Sequence, residues 1–370
     1  MKSSVEFVIV GGGIAGLSTA FFLKNLDREI VILEAAELPG KGASWHAAGM
    51  LAPIHEIEFQ ELPLYHAGQE ALKLYHQEIF PHFDNIGASL DGTFEVALTP
   101  EDVNYLKRSF EFQKKLGAQV YWYTAEALKN KFPYLGTMVL AGIFAPQDIQ
   151  IDNRLFVQKL YENLQSKGVN FLLKAKVISW EIENNRKYKI YFENSNNQIY
   201  SLYAHHLIFT TGYSELNKKI FNEKIFPVKG QMIAIQSDFP LAYTFRIRSR
   251  SLGNGYIVPK IERWILGTTA EHKGNSVELT AGAILDILQK AYAVLPTIYE
   301  FPILEMWAGL RPATINHAPI IGKYKNQNIY FINGLYRHGI LLGPYLAKAL
   351  AEFILTQTLP PAVIPFWKEI

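Results

Sequence analysis

The sequence contains no cysteine among its 370 residues. Structural disulfides, thiolate metal sites and cysteine nucleophiles are therefore excluded. An excess of one charge is also missing, because 36 Lys and Arg face 34 Asp and Glu for a formal net charge of +2. This balance predicts neither a nucleic-acid-binding protein nor a membrane-surface protein.

Long apolar runs are lacking as well. No stretch approaches the roughly 18–20 apolar residues that a membrane-spanning helix needs. The apolar run Val5–Val10 is too short for the core of a signal peptide, and it leads directly into glycines. We therefore expect a cytoplasmic protein with no membrane span. Internal repeats and low-complexity tracts are not visible either, so the chain should fold throughout.

The apolar pattern changes character along the chain. Val5–Val10 and Glu29–Leu33 read as buried strands on either side of a helix at Ile14–Leu26. In the middle of the chain, short alternating segments are typical of antiparallel strands. The C-terminal part returns to a strand at Ile329–Asn333 and a helix at Gly339–Thr356. This order predicts two lobes that are threaded through each other.

Three glycines between the first strand and the first helix have the G-x-G-x-x-G spacing of a dinucleotide-binding fingerprint. Gly11 permits a tight turn, Gly13 lets the backbone approach a pyrophosphate, and Gly16 lets the helix pack closely on the strand. The spacing alone is weak evidence. A strand before it, a helix after it and a second strand in register make it strong.

Two further features of this unit face the same ligand. The amides of Ile14 and Ala15 at the start of the helix are placed to bind phosphate oxygens, with support from the helix dipole. Glu34 ends the second strand, 23 residues after Gly11, where its carboxylate can accept hydrogen bonds from ribose hydroxyls. The acid does not by itself separate NAD from FAD.

These patterns predict an α/β fold, with a Rossmann-type dinucleotide-binding lobe and an interleaved α+β lobe built on an antiparallel sheet. The first lobe, which the resemblance described below makes the FAD-binding lobe, is assigned to residues 1–85, 146–222 and 306–370, and the second, which it makes the substrate lobe, to residues 86–145 and 223–305. The choice of FAD and of a substrate rests on longer motifs.

Six motifs occur in order: GASWHAAGMLAP at 42–53, FPVKGQM at 226–232, YIVP at 256–259, MWAGLRPAT at 306–314, APIIG at 318–322 and NGLYRHGILLGP at 333–344. Together they resemble the D-amino-acid-oxidase-like flavoproteins, and among them the glycine oxidases of thiamine biosynthesis. The resemblance runs from about residue 5 to residue 356. It implies FAD as the cofactor, a small amine or amino acid as the substrate, and oxygen or another electron acceptor.

The resemblance also implies which residues contact FAD. In the loop after Glu34 these are Ala35, Ala43, Ser44, Ala48, Gly49 and Met50, and Val177 matches the position that pairs with the adenine. The segment that caps the pyrimidine edge of the flavin comprises Leu335, Tyr336, Arg337, His338, Gly339, Ile340 and Leu341. Gly339 opens a helix, so its amides and dipole can stabilise negative charge on reduced flavin.

Three residues match substrate positions of the family. Arg311 lies at the end of an apolar strand, where a guanidinium needs a partner, and the resemblance makes that partner the substrate carboxylate. A structural ion pair is the alternative for Arg311. Tyr256 matches a substrate contact but also suits a plain strand aromatic. Arg337 matches a position beside the substrate.

His46 departs from the glycine-oxidase pattern, which has a small residue at this point. The segment SWHAAG resembles dimethylglycine and sarcosine dehydrogenases, in which the matching histidine is bonded to the 8α-methyl carbon of flavin. A packing or solvated histidine is the alternative. The sequence therefore predicts FAD that is either dissociable or covalently attached through His46, and the lack of cysteine excludes a cysteinyl link.

Several functional readings remain open from sequence. The leading one is a small-amine or amino-acid oxidase, and its rivals are a dehydrogenase that reduces a quinone or carrier protein, a tRNA-modification oxidase module, and a non-catalytic flavin-binding partner. No metal site is predicted, and a homo-oligomer is left open. Arg246, Arg248 and Arg250 alternate along one strand and are expected to form a solvated edge.

Overall fold

Two large β-sheets and a two-stranded ribbon form the framework of the molecule. A computed structural model describes residues 4–56, 58–183, 187–221 and 225–370. The strands are β1 (Val5–Val10), β2 (Ile30–Leu33), β3 (Met50–Leu51), β4 (Thr93–Ala97), β5 (Tyr121–Thr124), β6 (Ala141–Ala145), β7 (Ile149–Gln150), β8 (Asn170–Leu172), β9 (Lys176–Glu183), β10 (Lys187–Glu193), β11 (Ile199–Phe209), β12 (Phe226–Gln236), β13 (Thr244–Arg248), β14 (Gly255–Pro259), β15 (Arg263–Gly267), β16 (Ile303–Ala313), β17 (Ile320–Lys323), β18 (Ile329–Asn333) and β19 (Trp367–Glu369).

The helices cover the faces of these sheets. They are α1 (Ile14–Lys24), α2 (Leu62–Leu74), α3 (Phe80–His82), α4 (Pro100–Lys115), α5 (Ala125–Lys131), α6 (Asn153–Ser166), α7 (Asn217–Ile220), α8 (Ala281–Val294) and α9 (Gly339–Thr356). A π-helical turn at Tyr75–Ile79 joins α2 to α3, and 3₁₀ turns lie at Pro296–Glu300 and Ile364–Phe366.

The first sheet has the strand order β19-β17-β18-β11-β1-β2-β8, and the β9–β10 hairpin pairs with β11. Strands β18, β11, β1, β2 and β8 run parallel. Phe7 and Ile9 pack among the residues of α1, α6 and α9, whereas Val8 and Val10 pack towards β10 on the other face. Because both faces are buried, β1 is a continuous apolar run rather than an alternating one.

The second sheet has the order β16-β12-β15-β14-β13-β4-β6-β5 and is antiparallel except for the β13–β4 pair. Alternation along β14 divides its two faces. Ile257 packs with Ile287 of α8, whereas Tyr256 and Val258 pack in the cluster that includes Ala48. The second face therefore looks towards the loop that follows β2.

This architecture confirms the predicted fold class, in which a Rossmann-type sheet and an antiparallel sheet alternate along the chain. The division into domains remains a prediction. The boundary placed at residue 306 falls inside β16, which pairs with β12 in the second sheet from Ile303 to Ala313.

Several elements differ from the sequence expectation. The sequence pattern around Leu64–Phe80 predicts one polar helix, but the π-helical turn interrupts it. The apolar pattern at His206–Thr210 predicts a short strand, but in the structure His206–Phe209 is the end of the much longer β11, which pairs with β10. β10 lies between β9 and β11 and alternates between buried and half-buried residues, as a strand covered on one face should.

One helix in the described part of the chain is long and apolar enough to cross a membrane by length and composition. It is α9, with 18 residues, of which 67% are buried. The expectation that no segment approaches this length was therefore wrong. The helix packs against α1 and α2, so its apolar character serves the protein core.

The fingerprint glycine at the first turn of α1 provides a test of the packing. A Cβ at Gly16 would lie 1.9 Å from the carbonyl oxygen of Gly11. We expect Gly16→Ala to lower the free energy of unfolding by about 2–3 kcal/mol, because backbone must move to relieve the overlap. Denaturant unfolding measures this loss.

Gly282→Ala is the matched control. Gly282 lies in the first turn of α8, and an added Cβ there meets no atom within 4 Å. Alanine also has the higher helix propensity, so stability should stay equal or rise. Equal stability of Gly16→Ala and the native protein would contradict the packing account.

Candidate functional site

A cavity of about 1450 Å³ lies where the two sheets meet. The carboxyl ends of β1, β2, β11 and β18 open into it, which is where ligands bind in parallel α/β sheets. Its lining includes the residues predicted from the sequence, namely Gly11, Gly13, Ile14, Ala15, Glu34, Ala35, Ala43, Ser44, His46, Ala48, Gly49, Met50, Val177, Tyr256, Arg311, Leu335, Tyr336, Arg337, His338, Gly339, Ile340 and Leu341. Gly16 is the exception, because it packs behind Gly11.

The N-terminus of α1 forms one end of this cavity. The Ser44 hydroxyl accepts a hydrogen bond from the Ile14 amide at 2.9 Å, which leaves its proton free for a ligand oxygen. The first turn of α1 carries no acidic residue. Helix amides and dipole are therefore available to an anion such as a pyrophosphate.

Glu34 is held in place by backbone amides. Its two carboxylate oxygens accept hydrogen bonds from Gly12 at 2.7 Å and from Ala36 at 2.8 Å. Each oxygen has a second lone pair, so the carboxylate can still accept from a ligand hydroxyl. Val177, on β9, lines the cavity near the end of β2.

The loop that carries most of the predicted FAD contacts is tied to its surroundings. Asn153 donates from its amide to the carbonyl oxygen of Ser44 at 2.8 Å, and Ile151 donates from its backbone to Gly49 at 2.9 Å. Lys260, at the end of β14, donates to the Gln150 side chain and to the carbonyl of Ile151. The loop is thus clamped between the two sheets.

His46 projects from this loop against β16. A Cβ at Gly309 would lie 2.5 Å from the Cβ of His46, so only glycine leaves room for the histidine there. Trp307 donates from its indole to the His46 carbonyl at 3.4 Å. Burial lowers the pKa of His46, and its hydrogen bond with the Gly42 backbone raises it in part. The imidazole is therefore predominantly neutral at neutral pH.

Arg311 is held by neutral groups. Its guanidinium donates to the Thr269 carbonyl at 3.1 Å and to the Thr268 hydroxyl at 2.7 Å. Within the described ranges, no carboxylate forms an ion pair with Arg311. Tyr256 lies beside it, and burial raises the pKa of this phenol although the neighbouring Arg311 lowers it in part.

Arg337 and Arg246 differ from Arg311 because both have acidic partners. Glu56, on the cavity wall, pairs with Arg246 and lies 3.6 Å from the Arg337 Nε. Glu95 lies 3.8 Å from Arg246 and 3.2 Å from Arg248. The expectation of a solvated arginine edge was wrong for Arg246 and Arg248, because β13 lies inside the sheet between β14 and β4.

The N-terminus of α9 also faces the cavity. His338 occupies the N-cap position of this helix and is buried, and burial together with the charges of Arg337 and Arg246 lowers its pKa to about 3. The imidazole therefore adds no positive charge here at neutral pH. The α9 amides remain the source of positive potential at this end.

Sequence reasoning missed several residues of the site. Thr268, Thr269 and Glu56 line the cavity but lie in loops or at strand ends, where no residue pattern marks them. Lys260 directly follows YIVP, and a charged residue at the end of an apolar strand is the sequence signal that marks it as a buried side chain with polar partners.

These observations are what an FAD site requires. The cavity is large enough for a dinucleotide and its walls supply amides for phosphates, a carboxylate for a ribose, and small residues at 47–49 where a planar ring must approach the backbone.

Comparison with known proteins identifies the family. A family model described as FAD dependent oxidoreductase (DAO) matches residues 6–353. The chain belongs to this family. The predicted resemblance is thereby confirmed, and the oxidoreductase is FAD-dependent.

Relatives of known name cover the whole chain. Glycine oxidase of Bacillus subtilis is 26% identical over 370 residues, which is 96% of this chain and 95% of the relative. The bifunctional protein ThiO/ThiG of Trichormus variabilis is 28% identical over 371 residues, which is 98% of this chain but 54% of the relative. The chain thus spans about half the length of the latter.

A solved structure supports the same fold. The crystal structure of glycine oxidase from Geobacillus kaustophilus has a TM-score of 0.89 and 23% identity, covering 99% of this chain and 98% of that one. At this identity the likeness shows the fold.

Lys260 makes the free energy of unfolding depend on pH. Burial, chiefly, lowers its pKa to about 7, whereas Asp152 raises it and Arg263 lowers it further. In the unfolded chain the pKa of a lysine is about 10.4. Between these values the unfolded chain binds the extra proton, so the free energy of unfolding rises with pH.

We expect Lys260→Met to remove most of that rise between about pH 7 and about pH 10. Denaturant unfolding at several pH values measures it. The control Lys107→Met, at an exposed position on α4, should keep the native slope. If Lys260→Met shows the same slope as the native protein, the lysine is not the titrating group.

Proposed function

We propose that this oxidoreductase oxidises a small amine that carries a carboxylate, of the glycine, sarcosine or D-amino-acid type. Arg311 is the observation that carries the proposal. Its guanidinium lines the FAD cavity and, among the described residues, has only neutral acceptors. A charge in that situation favours an anionic ligand, and a carboxylate accepts from a guanidinium through two parallel hydrogen bonds.

The surrounding residues orient such a substrate. Arg311 fixes the carboxylate, and Tyr256 lies beside the guanidinium, where its hydroxyl can reach the same group. The α-carbon, one bond from the carboxylate, is thereby held at a defined place in the cavity. Positioning of this kind accounts for a large part of the acceleration in hydride transfer.

FAD, when bound, accepts the hydride that leaves the α-carbon. The amine must be neutral for its lone pair to assist, so the substrate ammonium first gives up one proton. Departure of the hydride then leaves an iminium, which gives up a second proton to become the imine. Water then hydrolyses the imine to a carbonyl compound and ammonia or a primary amine. The neutral His338 and the ion-paired Arg246 leave Arg311 as the charge available to the substrate.

Oxygen is the acceptor that we propose for the reoxidation step. The names of the glycine oxidase relatives support this choice. The name of the ThiO/ThiG relative supports a role in thiamine biosynthesis, although the chain spans 54% of that protein. A dehydrogenase that reduces a quinone or carrier protein is the second candidate, and His46 favours it.

We further propose that His46 bonds covalently to the 8α-methyl carbon of flavin. Its imidazole lines the cavity, and burial keeps it predominantly neutral and nucleophilic at neutral pH. Gly309 leaves room for it. Bond formation removes one hydrogen from the methyl carbon and one from the imidazole nitrogen, and the two electrons released reduce the flavin, which an acceptor such as oxygen reoxidises.

Replacement of Arg311 tests the substrate proposal. Arg311→Ala should weaken the apparent affinity for carboxylate-bearing amines by roughly 2–5 kcal/mol, because a charge-assisted pair is lost. Steady-state kinetics on glycine, sarcosine, D-alanine and D-proline measure it, with FAD affinity determined in parallel. Arg108→Ala, at an exposed position on α4, is the control. Unchanged Michaelis constants for every active amine would remove Arg311 from the substrate site.

Acid precipitation tests the covalent bond. Native protein should retain its yellow colour in the pellet, whereas His46→Ala should release FAD while it keeps its fold. His66→Ala, on α2, is the control and should retain the colour, because His66 is outside the cavity lining. Flavin released entirely from native protein would return His46 to a packing role and favour dissociable FAD.

A further inference from the structure

Strand β12 borders both the substrate cavity and a buried polar network, and the outer members of that network, among them Thr268, Thr269 and Glu271, line the cavity as well. Gly230 and Met232 line the cavity on one face of the strand. Lys229 and Gln231 point the other way and are 1% and 0% exposed. Two buried polar side chains on an apolar strand need partners, because an unsatisfied group costs free energy. Their partners lie in the segment that follows β15.

Gln231 uses both its backbone and its side chain to bind that segment. Its backbone amide donates to the Thr269 hydroxyl at 3.0 Å, and its carbonyl accepts from the Thr268 hydroxyl at 3.2 Å. Its side-chain amide donates to Glu271 at 2.7 Å and accepts from the Thr280 backbone amide at 2.9 Å. The Gln231 side chain thus links Glu271 to Thr280.

Glu271 closes the same network. Its Oε1 accepts from the Thr269 hydroxyl at 2.6 Å as well as from Gln231. Its Oε2 lies 3.2 Å from the ammonium of Lys273 and 3.8 Å from that of Lys229. The backbones of Lys229 and Glu271 are hydrogen-bonded in both directions at 2.9 Å. The Thr269 hydroxyl therefore has a fixed donor and a fixed acceptor.

The consequence reaches Arg311, because its two acceptors are the Thr268 hydroxyl and the Thr269 carbonyl. The Thr268 hydroxyl lies 3.2 Å from the Gln231 carbonyl and 3.3 Å from the Thr269 carbonyl, and its oxygen accepts from the guanidinium at 2.7 Å. Gly230 completes the arrangement. A Cβ there would lie 2.3 Å from the guanidinium nitrogens, so Arg311 lies flat on the strand.

We infer that Gln231 and Glu271 are positioning residues that preorganise Arg311 for a carboxylate, through Thr268 and Thr269. The inference rests on the proposed function of Arg311. An arginine side chain loses conformational entropy when it is fixed. A guanidinium fixed before the ligand arrives no longer has this cost at binding, so loosening the network weakens carboxylate binding while the chemical step keeps its rate.

Carboxylate binding is measured directly with acetate, through the change that it causes in the visible spectrum of the FAD-loaded protein. Gln231→Leu removes the side-chain hydrogen bonds to Glu271 and Thr280, and Thr269→Val removes the hydroxyl that joins the Gln231 backbone to Glu271, both with little change in volume. Each should raise the dissociation constant of acetate about tenfold and the Michaelis constant of the best amine to a similar extent. The turnover number should change less than twofold, and so should the dissociation constant of added FAD where it is exchangeable.

Glu271 separates a positioning role from a purely structural one. Glu271→Gln keeps an oxygen that can accept from Thr269 and Gln231, so acetate should bind within about threefold of native. Glu271→Ala should bind it about tenfold more weakly. Loss of thermal stability in all variants with unchanged acetate binding would overturn the inference.

Arg311→Lys in the same titration distinguishes the two levels of the account. If it weakens acetate binding and Gln231→Leu and Thr269→Val do not, the positioning inference is wrong and the proposed function stands. If Arg311→Lys leaves acetate binding unchanged, the proposed function is wrong and the inference falls with it. Should Gln231→Leu fail to fold, Thr269→Val decides, since its side chain differs by one hydroxyl.

Discussion

The guanidinium of Arg311 is the constraint on which the site depends. Within the part of the chain that the structure describes it is solvated by a threonine hydroxyl and a backbone carbonyl, so its charge is stabilised without being neutralised. Arg246 borders the same cavity but is neutralised by Glu56 and Glu95. Arg337, the third arginine of the cavity wall, is paired with Glu56 and Glu61, so Arg311 is the arginine there whose charge no acidic side chain of the described residues compensates.

The two sheets contribute different groups to the wall of the cavity. The parallel sheet presents helix N-termini and the Glu34 carboxylate, which suit phosphates and a ribose. The antiparallel sheet presents Arg311 and Tyr256. The 43–50 loop lies between them. Asn153 of α6 donates to the Ser44 carbonyl of this loop, and the Ile151 amide donates to its Gly49 carbonyl. Lys260, after β14, donates in turn to Gln150 and Ile151. Cofactor and substrate positions are therefore set by one continuous framework.

Much of this arrangement could be predicted from the sequence, because it depends on local patterns. Short segments of the sequence contain the fingerprint glycines, Glu34 and the motif around Arg311, and the residue types in these segments indicate their chemistry. The partners of Arg311 could not be predicted, because Thr268 and Thr269 are brought to it by the pairing of β12 with both β15 and β16. The burial of Arg246 and Arg248 was missed for the same reason, since their acidic partners are Glu95 of β4 together with Glu56 and Glu58, which are distant in sequence.

The central claim is that carboxylate-bearing amines reduce FAD in this cavity, and anaerobic reduction tests it most directly. Holoprotein is mixed without oxygen with glycine, sarcosine, D-alanine or D-proline, and each is paired with the matching amine that lacks the carboxylate. The account predicts loss of the yellow flavin absorbance with at least one carboxylate-bearing amine and not with its partner. Equal reduction by both members of a pair, or no reduction by any amine, would contradict it.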